Sequence, residues 1–113
     1  MNESARATLP VLASPRLNLP APDVADAASI AALLADATRA GILRLLADGP
    51  HCVCEMAAAL GERENNVSNH LARLRDAGLV RASRHGANGR FLYYERDDEA
   101  VARARDALNV ILR

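Results

Sequence analysis

The stretch from Cys54 to Gly78, CEMAAALGERENNVSNHLARLRDAG, carries two short helical periods with a linker of about four residues between them. Met56, Ala59 and Leu60 recur at helical spacing, and Gly61 can close that helix because a left-handed C-terminal position costs glycine little. Val67, Leu71 and Leu74 mark a second helix, about 65 to 77, which ends at Gly78. Two helices joined this tightly predict a helix-turn-helix.

After Gly78 the period changes from helical to alternating. Residues 79–84 read as one strand, His85 to Gly89 as a loop with turn chemistry, and Arg90 to Glu95 as the returning strand. The last helix, Asp97 to Arg113, carries Val101, Ala104, Leu108, Ile111 and Leu112 on one face. Its N-terminus holds Asp97, Asp98 and Glu99, where the helix dipole favours negative charge. Upstream, a helix opened by Asp36 buries Ile42, Leu45 and Leu46 and is stopped by Asp48-Gly49-Pro50. Before it, Val24, Ala27, Ala28, Ala31, Leu34 and Ala35 predict a first helix over about 23–35, capped by Asp23. Residues 1–22, with Pro10, Pro15, Pro20 and Pro22, are expected to form a flexible N-terminal arm. Residues 23–113 then form one mostly α domain, about five helices plus a two-stranded wing: a winged helix-turn-helix for DNA binding and dimerisation.

A chain of 113 residues buries only a modest core, and the apolar face of the last helix predicts a homodimer. Net charge is zero, but its distribution is uneven. From Arg63 to Arg96 seven Arg (63, 73, 75, 81, 84, 90, 96) face three acids (Glu64, Asp76, Glu95), a balance of +4, whereas residues 20–62 carry two Arg and six acids. A basic segment on an acidic body suits double-stranded DNA, because phosphate contacts supply sequence-independent affinity. No nucleophile stands with a base at readable spacing and there is no phosphate-binding loop, so the chain does not read as an enzyme. The first residues lack the apolar core of a secretory signal and no apolar run is long enough to span a bilayer, so a cytoplasmic protein away from membranes is expected.

The run from Asn65 to His70 has the chemistry that base edges and phosphates require. Asn pairs with adenine, Ser serves either partner, and a helix N-terminus favours phosphate. Asn65, Asn66, Asn69 and Arg73 fall on one face, opposite Val67, Leu71 and Leu74, and Ser68 lies among them. Capping is the plainer reading of Asn65 and Ser68. His70 lies beside the apolar stripe, as a structural or phosphate-contacting histidine rather than a metal ligand. Arg84 and Arg90 flank the wing loop and are expected at phosphate or in the minor groove.

Both cysteines fall within His51-Cys52-Val53-Cys54-Glu55, just upstream of the reading helix. One intervening residue cannot make an ordinary stapling disulfide, so the pair is expected to be reduced. On an intact α-helix residues i and i+2 point about 200° apart, so joint chelation requires the start of the third helix, expected at about 54–60, to be extended or unwound.

Residues 34–39 (LADATR), 42–46 (ILRLL), 52–55 (CVCE), 66–71 (NVSNHL), 74–80 (LRDAGLV) and 89–94 (GRFLYY) resemble the ArsR/SmtB family of bacterial metal-sensing repressors, over about residues 30 to 96. The resemblance implies a homodimer that binds operator DNA without metal and releases it when an ion binds Cys52 and Cys54. The chain departs from family patterns in having Ala57 where arsenic-sensing relatives often carry a third Cys, no Cys in the arm and no His in the last helix. Two thiolates favour a thiophilic inducer, arsenite first, since it accepts two or three sulfurs. Cadmium, lead or another divalent ion would need further ligands such as His51, Glu55 or a group from the partner chain. A different reading is a thiol redox or constitutive DNA-binding regulator without bound metal.

Overall fold

The computed structural model describes residues 21–113, with side chains from Val24 onward; the rest of the expected arm lies outside the described residues. The order is α1 (Ala21–Leu34), α2 (Ala37–Leu46), α3 (Val53–Leu60), α4 (Glu64–Asp76), β1 (Val80–His85), β2 (Phe91–Arg96) and α5 (Asp98–Leu112). The winged helix-turn-helix expected from the periods is the observed fold.

Helix α1 begins two residues earlier than the capping argument at Asp23 suggested. Ala21 and Pro22 form its first turn, where proline loses no hydrogen bond, and Asp23 lies inside the helix. Its inward face also differs from the expected stripe. Ala27 is fully buried and Ile30 and Leu33 pack against the core, whereas Ala28 and Ala31 are exposed, because the larger side chains at 30 and 33 fill the space.

Asp36 caps α2 as expected, its Oδ1 accepting from the Arg39 N–H at 3.0 Å. Both junctions of the helix-turn-helix are closed by left-handed glycines. At Gly61 the Glu62 N–H bonds back to Ala57 O at 3.0 Å, and at Gly78 the Leu79 N–H reaches Leu74 O at 3.0 Å. Leu79 therefore completes the end of α4, which explains why β1 starts one residue later than alternation alone indicated.

Strands β1 and β2 form an antiparallel pair running from Val80↔Arg96 to His85↔Phe91. A short 3-10 turn at Ala87–Gly89 makes the tip, with Asn88 left-handed at φ 60°, a conformation asparagine tolerates. The core joins Ile42, Leu46, Met56, Val67, Leu71, Leu74, Leu79 and Val80 with Ala100 and Ala104 of α5. Every described helix and the wing therefore meet one apolar centre, which fixes α4 and the wing relative to each other. Among the described residues no helix is long and apolar enough to cross a membrane.

Candidate functional site

Helix α4 turns Val67, Leu71 and Leu74 into the core and leaves Asn65, Ser68, Asn69 and Arg73 exposed, so the proposed reading face is solvent-accessible. The helix starts at Glu64 with Arg63 in the capping position and no side-chain cap. Asn65 and Ser68 thus do not cap it, and the plainer explanation for those two residues falls away. Asn66 is half-buried, its Nδ2 donating to Glu62 Oε1 at 2.8 Å.

His70 is placed differently from the others. It is turned toward the α1–α2 junction, where Arg39 Nη1 and His70 Nδ1 lie 3.0 Å apart and Asp36 Oδ1 is 3.9 Å from the ring. Arg39 itself is only 9% exposed, and its Nε donates to Leu33 O. A guanidinium only donates, so in this contact the His70 nitrogen is the acceptor. The Arg39 N–H holds the Asp36 carboxyl below its ordinary range, partly offset by desolvation, with His70 contributing in the same direction as the N–H. This Arg39 cluster ties α1, α2 and α4 together. Sequence reading passed over Arg39, although an arginine within a helical stripe of Ile and Leu was the available signal.

The basic character of residues 63–96 is narrower than its count suggested. Arg81 pairs with Glu95 at 3.2 Å and Asp97 at 3.5 Å, and Arg96 pairs with Asp98 at 3.1 Å. Arg63, Arg73, Arg75, Arg84 and Arg90 are exposed, with Arg84 also donating to Gly89 O across the wing loop.

Cys52 and Cys54 approach each other without any unwinding of α3. Cys52 is the N-cap, extended at φ −84° and ψ 165°, and α3 begins only at Val53. One cysteine lies outside the helix and the other in its first turn, so the 200° divergence of an intact helix does not arise. The Cα atoms are 5.4 Å apart and the two sulfurs are in direct contact, brought together because the chain is extended at the cap.

The same sulfur takes part in a capping box. The Glu55 N–H points at Cys52 Sγ at 3.4 Å, while Glu55 Oε1 accepts from the Cys52 N–H at 2.9 Å. That Cys52 N–H holds the Glu55 carboxyl below its ordinary range; desolvation opposes it and a contact with His51 Nδ1 at 3.4 Å adds to it. His51 in turn exchanges backbone hydrogen bonds with Tyr94 of β2, at 3.0 and 2.8 Å. The cysteine segment is consequently attached to the helix-turn-helix on one side and to the wing on the other. Among the described residues no group of three or more His, Cys, Asp or Glu converges as a metal-holding cluster.

Residues 36–82, from the α2 cap through the start of the wing, match the family model of bacterial regulatory proteins of the arsR family. The chain is 36% identical over 81 residues to the arsenic resistance transcriptional regulator ArsR2 of Pseudomonas putida, covering 71% of this chain and 68% of that protein. The chain belongs to the ArsR family. It is also 44% identical over 55 residues to the arsenical resistance operon repressor of Escherichia coli, spanning 48% of this chain but only 47% of the relative. A crystal structure of a possible transcriptional regulator for arsenical resistance superposes with a TM-score of 0.65 at 30% identity, covering 74% of this chain and 84% of the other. ArsR-family membership makes the chain a winged-helix transcriptional regulator and not an enzyme.

Proposed function

We propose that this ArsR-family protein is a homodimeric repressor that holds operator DNA through α4 and the wing and releases it when a thiophilic ion, arsenite first, bridges Cys52 and Cys54. The observation that carries this reading is the position of the pair. Cys52 caps the first helix of the helix-turn-helix while its neighbour His51 is bonded to the wing strand, so a bond formed at the sulfurs acts on both DNA-facing elements. Two sulfurs brought together suit an ion that accepts two or three soft donors, whereas a tetrahedral zinc-type site would need further ligands. Relatives named for arsenic resistance support the same inducer class.

On DNA, Asn65, Asn66, Ser68 and Asn69 face base edges, Arg73, Arg84 and Arg90 meet phosphate, and His70 with Arg39 orients α4 from behind. The subunits meet through α1 and α5, whose surface leaves Val24, Ile111 and Leu112 exposed. The direct contact of the two sulfurs favours a second reading, a thiol regulator in which two-electron oxidation of the pair replaces ion binding.

Release of a duplex carrying the protein's operator, titrated with arsenite, antimonite, cadmium, lead, zinc and nickel in a phosphine reductant, tests this. Arsenite is expected to release DNA at the lowest concentration. Release by oxidant alone, with no response to any ion, would favour the redox reading.

A further inference from the structure

Glu62 is acidic, exposed and set in the turn leading into the most basic part of the chain, where a carboxylate works against phosphate binding. Its placement is fixed by the backbone. As the residue after left-handed Gly61, it has its N–H bonded to Ala57 O at 3.0 Å, which directs the side chain across the turn. Both carboxylate oxygens are then used: Oε1 accepts from Asn66 Nδ2 at 2.8 Å and Oε2 from Thr38 Oγ1 at 3.5 Å. These bonds join the start of α2 to the first turn of α4.

A carboxylate accepts hydrogen bonds and cannot donate, so the Asn66 amide must present its NH2 group to Glu62 and turn Oδ1 away. An unrestrained asparagine can flip and offer either group to a base. We propose that Glu62 is a positioning residue for DNA specificity, locking the Asn66 amide so that it offers an acceptor to the groove and selects a base with an exocyclic amine, adenine or cytosine, at the position it reads. This rests on the reading of α4 as the DNA-reading helix. Glu62 touches no base itself; it acts through Asn66.

The test is selection of duplexes from a randomised library by the full, reduced protein, comparing wild type, Glu62→Ala, Glu62→Gln and Asn66→Ala. Wild type is expected to enrich adenine or cytosine at one position over guanine or thymine by roughly 5-fold or more, the scale of a specific side-chain contact. Glu62→Ala should level that preference and leave the positions read through Asn69 unchanged. Glu62→Gln, whose own amide can flip and pair with either face of Asn66, should keep the fold and also relax the preference. In the Asn66→Ala background Glu62→Ala should change no preference at all. A merely structural role would weaken every position together, and that result would overturn the proposal. Identical base preferences in wild type and Glu62→Ala would overturn it too, while leaving the DNA-reading role of α4 in place. A wild-type protein that enriches no sequence would sink that role and the proposal with it.

Discussion

Cys52 does two jobs at one atom, as helix cap and as half of the sulfur pair, and the first can be separated from the second. Sulfur is a weak acceptor, so its cap on the Glu55 N–H contributes less than a hydroxyl would. Under reducing conditions Cys52→Ser is expected to melt at or above the wild-type temperature, and Cys52→Ala to be destabilised by about 0.5–1 kcal/mol, the low end for a removed cap. Thermal unfolding followed by circular dichroism checks this; an alanine variant as stable as wild type would show that the sulfur does not cap. The extended start of α3 that joint chelation requires is the one observed, but the sulfur cap was illegible in the sequence because capping geometry is not revealed by composition. His70 was ambiguous for a related reason, since its partner Arg39 lies 31 positions away.

Among the elements, the helix-turn-helix was readable because its glycines, its apolar triplets and its turn length agree with one another. The wing was readable by alternation, but its register was not, because Leu79 belongs to the end of α4. The tip depends on local geometry: a methyl group at Gly86 would meet the ring of Phe91, and Gly89 sits under Arg84. Arg84 and Arg90 flank this tip, and Arg84 donates to Gly89 O across it. Arg84→Ala or Arg90→Ala is expected to weaken binding to operator and random DNA alike and to reduce the slope of log affinity against log salt by about 1 for each phosphate that is no longer neutralised. Fluorescence anisotropy across a salt series measures it, and an unchanged slope would show that the arginine in question does not meet phosphate. The charge count could not anticipate that Arg81 and Arg96 are engaged by Glu95, Asp97 and Asp98.

For the whole molecule, α1 and α5 pack together and both touch the core, yet Ile111 is 44% exposed and Leu112 73%. Such a surface on so small a domain is expected to be covered by a second copy, which would also set two reading helices at a fixed spacing on a symmetric site. Sedimentation at micromolar concentration should give a mass near twice 12.1 kDa; a monomer would contradict the assembly. Switching such a dimer from almost wholly bound to almost wholly free, 1:99 to 99:1, requires the inducer to favour the released state by about 5.5 kcal/mol, which sulfur coordination can supply and a lone carboxylate cannot. The decisive measurement is arsenite-driven release of operator DNA by wild type, Cys52→Ser and Cys54→Ser in a phosphine reductant. Wild type should dissociate while both variants, with residues 65–90 untouched, stay bound. Dissociation of both variants at the wild-type arsenite concentration would show that Cys52 and Cys54 are not the sensor.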